Sequence, residues 1–213
     1  MNYTSVFDII GPIMVGPSSS HTAGAARMGK TARNVLGGTP KDVKIYLYGS
    51  FADTYKGHGT DLALIGGLLG FETDNEDIPK SLDIAKEKNI SVEFITSDEK
   101  TNHPNTAKLA ISNDIDKVDV TCISVGGGVI NTININGHDV TKFKTGTRLL
   151  VRYTNKDLLS QISNVLNSNA FNTEIINYKD SKTNICLITS NEKIKEDKVN
   201  IIKNLDSVID VLE

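Results

Sequence analysis

The chain has 213 residues, of which 38% are hydrophobic and 23% are charged, and its formal net charge at pH 7 is −3. This balance gives no global basic field, so nucleic acid and anionic membrane surfaces are not expected partners. Aromatic residues make up only 6% of the chain and Trp is absent, which argues against aromatic platforms that stack single-stranded nucleic acid.

The start of the chain shows neither the positively charged segment nor the apolar run of a secretory signal. No stretch approaches the roughly 18 apolar residues that a membrane-spanning helix needs, so we expect a cytoplasmic protein. Its two cysteines, Cys122 and Cys186, lie far apart, and a structural disulfide is not expected in that compartment. Two thiols are also too few for a cubane iron–sulfur cluster, which is normally held by four cysteines.

Residues 1–145 predict an α+β domain. The segment from His21 to Leu36 is rich in Ala, Arg and Lys, which favours a helix ending at Gly37-Gly38. The period-two alternation of Val43–Tyr48 is typical of a strand, and Asn136-Gly137 is a hairpin signal. The other predicted elements are a loop over Gly49–Thr60, helices over Leu62–Phe71 and 80–89, and strands over Ser91–Thr96, Thr106–Ser112, Val118–Val125, Val129–Asn136 and Val140–Lys144.

Residues 146–213 predict a second, ferredoxin-like domain, because their elements follow the order β-α-β-β-α-β. Each helix covers part of one face of a four-stranded antiparallel sheet, which suffices for a small autonomous domain. The predicted elements are a strand over Arg148–Tyr153, a helix over Leu158–Leu166, strands over Thr173–Tyr178 and Asn184–Thr189, a helix over Lys193–Asn204 and a strand over Val208–Leu212.

A nucleotide-binding pattern, G-x-x-x-x-G-K-[ST], matches the segment Gly24–Thr31. A true phosphate loop follows a buried strand and leaves its amides free for the phosphates. Here the preceding residues are a Ser-rich loop, and the intervening Ala-Ala-Arg-Met favours a helix that uses those amides internally. The context therefore argues against nucleotide binding.

The Ser-rich loop just upstream is the better candidate for a functional site. It places the hydroxyls of Ser18, Ser19, Ser20 and Thr22 and the imidazole of His21 at a helix N-terminus. Free amides and the positive end of the helix dipole favour an anion such as a carboxylate there, and an imidazole can transfer protons. The alternative is that Ser20 or Thr22 merely caps the helix and His21 is a solvated first-turn residue.

Two further loops carry histidines. His58 lies between two glycines, which allow close approach to a ligand, and Thr60 or Asp61 follows as a helix cap; the alternative is an ordinary flexible connection. His103 begins a His-Pro-Asn-Thr turn, where an exposed histidine is the default expectation. His138 follows the Asn-Gly turn and is expected to be exposed. No pair of histidines has helical spacing, so a zinc site held by this chain is not expected.

Together these segments resemble the β chain of bacterial iron–sulfur-dependent L-serine dehydratase. The resemblance covers essentially the whole chain. The segments that carry it are Phe7–Pro12 with Gly16–Gly24, Tyr48–Ala52 with Gly57–Asp61, His103–Thr106, and Ser124–Gly128.

The resemblance implies a lyase that converts L-serine to pyruvate and ammonia without pyridoxal phosphate. A separate α chain is expected to carry a [4Fe–4S] cluster, with one iron acting as Lewis acid on the serine hydroxyl while a base removes the α-proton. This chain then supplies no cofactor or metal ligands, in line with its two cysteines.

The resemblance also implies which residues of this chain form its share of the site. His21 and His103 are expected to be catalytic, with His21 transferring a proton or stabilising charge, and His103 also helping Asn105 to orient the substrate. Ser19, Ser20 and Thr22 are the expected carboxylate donors. The full set of expected substrate-binding residues is Ser18, Ser19, Ser20, Thr22, His58, Thr60, Asp61 and Asn105.

Residues 146–213 resemble an ACT domain, a module that commonly binds amino acids at paired interfaces, which implies self-association. Its turn Asn155–Leu158 lacks the Pro and Gly of the usual ligand-binding turn, so dimerisation alone is an open alternative. The resemblance also leaves room for a different function, that of a free-standing amino-acid-sensing regulatory protein without a catalytic role. Such a sensor binds its ligand without a partner and has no use for the Ser-rich loop.

Overall fold

The computed structural model describes residues 12–141, 147–155, 157–166, 171–177, 182–190 and 192–212. Its contacts divide the chain into two compact units, Met1–Asn134 and Ile135–Glu213. The boundary predicted near residue 146 lies outside the described residues. The described residues form two β-sheets together with several helices, which confirms the predicted α+β class.

The N-terminal unit contains the first four helices and most of the first sheet. Its helices are α1 (Gly24–Leu36), α2 (Ser50–Thr54), α3 (Thr60–Leu69) and α4 (Ser81–Glu87), with a π-helical turn over Ser19–Ala23 and a 3-10 turn over Ile78–Lys80. The strands of the first sheet are β1 (Asp42–Tyr48), β2 (Ser91–Ser97), β3 (Thr106–Ser112), β4 (Lys117–Gly126), β5 (Val129–Ile135) and β6 (His138–Asp139).

The first sheet has the strand order β2-β1-β3-β4-β5-β6. β1 runs parallel to β2, with Asp42 opposite Ser91 and Tyr48 opposite Ser97, and antiparallel to β3. β1 buries every second residue, as its alternation predicted. The carboxyl ends of β1 and β2 therefore lie side by side, and the loops that follow them start at one edge of the sheet.

Helices α1 and α3 contact each other backbone to backbone at two glycines, Gly29 and Gly67. A Cβ atom on Gly29 would lie 2.1 Å from the carbonyl oxygen of Leu64, and one on Gly67 would lie 1.9 Å from that of Ala26. Only glycine permits such an approach of two backbones. The second glycine of the nucleotide-binding pattern is thus used for helix packing.

Two predictions for this half are wrong. The predicted loop Gly49–Thr60 contains a helix, α2, which starts after Gly49 in a positive-φ conformation. The return strand predicted over Val140–Lys144 begins earlier, at His138, because Asn136 and Gly137 form the turn with positive φ angles of 53° and 88°. Such a two-residue turn lets strand pairing resume immediately. Residues 142–144 lie outside the described part of the chain.

The C-terminal unit contains the predicted β-α-β-β-α-β arrangement. Its elements are β7 (Thr147–Tyr153), α5 (Leu158–Leu166), β8 (Phe171–Ile175), β9 (Asn184–Ser190), α6 (Glu196–Lys203) and β10 (Val208–Leu212). The sheet order is β10-β7-β9-β8, and each neighbouring pair of strands is antiparallel. The two helices and one sheet face enclose a core that includes Leu149, Tyr153, Ile162 and Ile202. The unit is ferredoxin-like, as predicted.

His138 differs from its prediction as an exposed residue. Its side chain is only 35% exposed, and its Nδ1 lies 3.0 Å from a carboxylate oxygen of Glu174. The neighbouring Asn136 donates from its side-chain amide to the carbonyl of Ile176. Both contacts tie the hairpin turn to the segment around β8, which the local sequence alone does not reveal.

Among the described residues, no helix has both the length and the apolar composition of a membrane-spanning segment.

Candidate active site

The Ser-rich loop enters α1 through the π-helical turn Ser19–Ala23. Ser18 has an extended backbone, and its Oγ accepts a hydrogen bond from the backbone N–H of His21 at 3.2 Å. Ser18 is therefore the capping residue, and the expectation that Ser20 or Thr22 caps the helix is wrong. Single π-helical turns occur frequently at functional sites. Here the turn directs the imidazole of His21 inward.

One edge of the His21 ring faces the hydroxyls of its own loop. Nδ1 of His21 lies 3.0 Å from Oγ of Ser20 and 3.4 Å from Oγ of Ser18. The two hydroxyl oxygens are themselves 3.3 Å apart. The cluster can therefore pass a proton between a hydroxyl and the imidazole without a large movement.

The other edge and the faces of the ring meet a second, distant segment. Nε2 of His21 lies 3.2 Å from Oγ of Ser50. The ring of Phe51 packs against it edge-on, with centroids 5.0 Å apart, and the His58 ring lies 4.8 Å away at an angle of 42°. His21 is only 9% exposed, and both of its ring nitrogens lie within hydrogen-bonding distance of protein hydroxyls.

Burial lowers the pKa of His21 from its ordinary value, and the neighbouring His58 lowers it further. The imidazole is therefore held neutral around neutral pH, with one nitrogen donating and the other accepting. A neutral imidazole between two hydroxyls is suited to accept a proton from one side. The expectation that His21 is merely a solvated first-turn residue is wrong, because the π-helical turn buries it.

The loop that carries His58 is joined to the Ser-rich loop by Thr22. The Thr22 hydroxyl donates to the carbonyl oxygen of His58 at 3.2 Å, and Thr22 is 2% exposed. Two buried polar atoms in the His58 loop, Nδ1 of His58 and Oγ1 of Thr60, have no hydrogen-bond partner among the described residues. Such orphaned groups are rare in folded proteins, and a bound ligand is one explanation for them.

Thr60 begins α3, but its hydroxyl does not cap the helix. Asp61 instead accepts from the N–H of Leu62 at 2.9 Å. Burial raises the pKa of the Asp61 carboxyl, and the hydrogen bond from Leu62 opposes that rise. The expected substrate-binding residues Thr60 and Asp61 therefore lie together at the start of α3.

The His-Pro-Asn turn lies beside the same region. The backbone N–H of Phe51 donates to the carbonyl of Pro104 at 3.4 Å, and a Cβ on Gly49 would lie 2.8 Å from that oxygen. Within the turn, Nδ1 of His103 accepts from the N–H of Asn105 at 3.1 Å. The turn thus contacts the segment that packs against His21.

Ser124, at the start of the family-like segment Ser124–Gly128, lies on β4 beside Asn105 of the His-Pro-Asn turn. Ser124 donates its N–H to the carbonyl of Asn105 at 2.9 Å, and its carbonyl lies 3.4 Å from the Asn105 side-chain amide. The Oγ of Ser124 is fully buried, has no partner among the described residues, and would lie 2.3 Å from a Cβ on Gly24. Gly24 is therefore needed where β4 passes under the start of α1.

An open groove of about 450 Å³ lies next to the turn, at the carboxyl ends of the parallel strands β1 and β2. Gly49, Asp53, Pro104 and residues 97–101 line it. Ligands of α/β sheets commonly bind at such carboxyl ends. The groove shares Gly49 and Pro104 with the surroundings of His21.

The structure thus brings together the Ser-rich loop and the His58 loop, and it places the His103 turn against Gly49 and Phe51. Three contributors were not predicted: Ser50, Phe51 and Ser124. Ser50 and Phe51 belong to the segment Tyr48–Ala52, which is part of the resemblance, and this membership was the available signal. Ser124 belongs to the fourth segment of the resemblance, but its buried hydroxyl is visible only in three dimensions.

The segment with the nucleotide-binding pattern lies within α1, as its helix propensity predicted. Its backbone amides serve the helix, and the Lys30 ammonium pairs with the carboxylate of Glu72. In the described part of the chain this segment therefore lacks the loop conformation that binds phosphate.

The chain's own residues do not fit an iron–sulfur cluster. Both cysteines are free and fully buried. Burial raises the pKa of Cys122 to about 11 and that of Cys186 to about 12, whereas a cluster ligand must be a thiolate. No group of three His, Cys, Asp or Glu side chains able to hold a metal occurs among the described residues.

Comparison with known proteins matches the sequence of this chain to a family. Residues 5–91 match the serine dehydratase beta chain family. The chain is 48% identical over 167 residues to the probable L-serine dehydratase, beta chain, of Bacillus subtilis (strain 168), covering 78% of this chain and 76% of that protein.

A second relative is the L-serine dehydratase, beta chain, of Peptoniphilus asaccharolyticus, which is 40% identical over 189 residues, covering 87% of this chain and 85% of that protein. L-serine dehydratase 2 of Escherichia coli (strain K12) is 35% identical over 151 residues, covering 59% of this chain but 33% of that longer protein. The chain belongs to the serine dehydratase beta chain family.

Proposed function

We propose that this chain is the β subunit of a cytoplasmic, iron–sulfur-dependent L-serine ammonia-lyase, which converts L-serine to pyruvate and ammonia without pyridoxal phosphate. The observation that carries the proposal is the meeting of distant family segments at one buried imidazole, His21. Two relatives aligned over most of both chains bear the name L-serine dehydratase, beta chain.

The [4Fe–4S] cluster belongs, in this proposal, to a separate α chain. The support is chemical: the two thiols of this chain are buried with raised pKa values, so they are not available as thiolate ligands. The subunit is then inactive alone, and the orphaned polar atoms of His58 and Thr60 are completed by substrate or by the partner chain.

The residues of this chain bind the substrate and move a proton. Ser19 and Ser20, in the π-helical turn that leads into α1, are the proposed hydrogen-bond donors to the serine carboxylate, with the helix dipole adding to the attraction. His21, neutral and hydrogen-bonded to Ser20, accepts or returns a proton at that edge. His103 and Asn105 orient the substrate. For Thr22 the geometry favours a supporting role, because its hydroxyl is used to hold the His58 loop.

Co-expression with a serine dehydratase α chain under anaerobic conditions tests the proposal. We expect a brown complex that forms pyruvate from L-serine. His21→Ala should assemble and keep the colour while losing most turnover. His138→Ala, in the C-terminal unit, is the control and should retain its turnover. A colourless mixture that neither assembles nor forms pyruvate refutes the proposed function. Near-normal kcat in the His21→Ala complex removes His21 from the mechanism.

The domain assignment is part of the same proposal. Residues 1–145 contribute to the active site, and residues 146–213 form an ACT domain that mediates self-association. Its first turn is closed by Asn155, whose side chain accepts from the N–H of Asp157 at 3.0 Å, in place of a Pro-Gly turn. Sedimentation of the purified chain checks this assignment, since a monomer at all accessible concentrations contradicts self-association.

A further inference from the structure

The ring of His21 has two chemically different edges, and the structure assigns a different partner to each. Nδ1 faces the Ser-rich loop, at 3.0 Å from Ser20. Nε2 faces Ser50, which is 29 positions away in the sequence and 3.2 Å away in space. A rotation of the ring by 180° about its Cβ–Cγ bond would place carbon atoms against both hydroxyls, so the two contacts favour one orientation.

Ser50 is itself held firmly. It is the first residue of α2, and its carbonyl accepts from the Thr54 hydroxyl at 2.7 Å. The next residue, Phe51, is fully buried, donates its N–H to the carbonyl of Pro104, and packs edge-on against the His21 ring. The Ser50 hydroxyl is therefore fixed relative to the imidazole by the elements on either side of it.

We propose that Ser50 is a positioning residue. By occupying Nε2 of His21 it makes Nδ1 the nitrogen that exchanges a proton on the side of Ser18 and Ser20. The expected effect on kcat rests on the proposed function, whereas the orientation of the His21 ring by Ser50 does not. The ring of His58, a titratable side chain, also lies against that of His21, with centroids 4.8 Å apart. Both nitrogens of His21 lie within hydrogen-bonding distance of serine hydroxyls.

Kinetics of the assembled complex provide the first test. Ser50→Ala should lower kcat about tenfold, the order expected for one lost hydrogen bond that orients a proton-transfer group, with roughly unchanged KM for L-serine. Ser163→Ala is the matched control, because it also removes a serine hydroxyl that donates to a backbone carbonyl, but in the C-terminal unit. It should turn over like the wild type.

A pair of equal-sized variants keeps the test valid if Ser50→Ala misfolds. Ser50→Thr retains a hydroxyl and Ser50→Val replaces it by a methyl group. We expect Ser50→Thr to keep most of the kcat and Ser50→Val to lose it. Equal rates in Ser50→Thr and Ser50→Val, or an equal loss in Ser50→Ala and Ser163→Ala, would overturn the positioning role.

Nitrogen chemical shifts of the histidine rings in the isolated β chain provide the second test. Ser50→Ala and Ser50→Val should change the Nε2 shift of His21 and its tautomer balance, whereas Ser163→Ala should not. Unchanged shifts refute the inference whatever the enzyme does. If the wild-type complex forms no pyruvate, the proposed function fails, and the shift experiment still decides whether Ser50 orients His21.

Discussion

The imidazole of His58 lies 4.8 Å from that of His21, ring centroid to ring centroid, and the two planes are inclined by 42°. Protonating both rings would place two positive charges next to each other in a largely buried site. His58 therefore adds to the effect of burial in lowering the pKa of His21. Two residues separated along the chain thus share one electrostatic environment.

A pH dependence follows from this pairing. The folded-state pKa of His21 is lowered from its ordinary value near 6.5, so between the two values the unfolded chain binds a proton that the folded chain does not. The free energy of unfolding should therefore fall as the pH drops from about 6.5 through the lowered pKa, and be fully retained above 6.5. Replacing His58 by Gln should raise the pKa of His21, although burial remains.

Titration of the His21 ring by NMR in the wild type and in His58→Gln measures this change. His138→Gln is the control, because His138 lies in the C-terminal unit and pairs with Glu174. It should leave the His21 pKa unchanged. A His21 pKa that stays the same or falls in His58→Gln would show that the two rings do not interact.

The α1–α3 crossing predicts a reversal of the usual glycine rule. Replacing a helical glycine by alanine normally stabilises a helix by up to about 1 kcal/mol. Gly29→Ala and Gly67→Ala should instead lower the free energy of unfolding by about 1–3 kcal/mol or more, because each new methyl group meets a backbone carbonyl at 2.1 and 1.9 Å. Urea denaturation measures the difference.

Gly57→Ala is the matched control for the helix crossing. Its new methyl group would meet nothing closer than 3.7 Å, and its φ is not in the positive range that disfavours alanine. It should unfold within roughly 0.5 kcal/mol of the wild type. If Gly67→Ala were as stable as Gly57→Ala, the two helices would not approach as closely as described.

Gly24 and Ser124 should be energetically coupled. A methyl group at Gly24 would lie 2.3 Å from Oγ of Ser124 and 3.0 Å from its Cβ. Gly24→Ala should therefore destabilise the chain by about 1–3 kcal/mol. Ser124→Ala alone should be neutral or stabilising, because it removes a buried hydroxyl that has no partner among the described residues. In the double variant, part of the cost of Gly24→Ala should disappear.

A double-mutant cycle from urea denaturation quantifies that coupling. We expect a coupling energy of at least about 0.5 kcal/mol in the direction of rescue. Additive effects would mean that the methyl group at Gly24 is accommodated by moving α1 and not by displacing Ser124.

The two thiols should be unreactive in the folded chain. Cys122 and Cys186 are fully buried, and their pKa values are raised to about 11 and about 12, so the thiolate is scarce at pH 8. A thiol reagent should label neither in native buffer and both in denaturant. The isolated chain, supplied with iron and sulfide, should acquire no cluster absorbance. Rapid labelling of Cys122 in the native chain would contradict its burial.

The strands and helices of this chain were mostly accessible from local pattern. The alternation of Val43–Tyr48 predicted β1, and Gly37 marked the end of α1 with a left-handed conformation. The return strand after Gly137 was placed too late, since residue pattern does not specify how soon pairing resumes after a tight turn. The short helix α2 was missed because the glycines around it indicate a loop.

The site was accessible only in part. The motif residues His21 and His58 could be named from the sequence, yet nothing local shows that their rings touch. Ser50 was overlooked because its contact with His21 depends on tertiary folding across 29 positions. Capping by Ser18 in place of Ser20 depends on the π-helical turn, which adds a residue to the helical ring and is not encoded by propensity alone.

The backbone-to-backbone contact between α1 and α3 bears on how the proposed site binds its substrate. α1 begins directly after the Ser-rich loop and α3 begins at Thr60, just beyond His58. Because backbone meets backbone at Gly29 and Gly67, no side chain separates the two helices at these positions. Such a close contact restricts sliding of the helices, so we expect the two loops at their starts to change their spacing little when a ligand binds. In the proposed function, the substrate would then meet these two loops already in place.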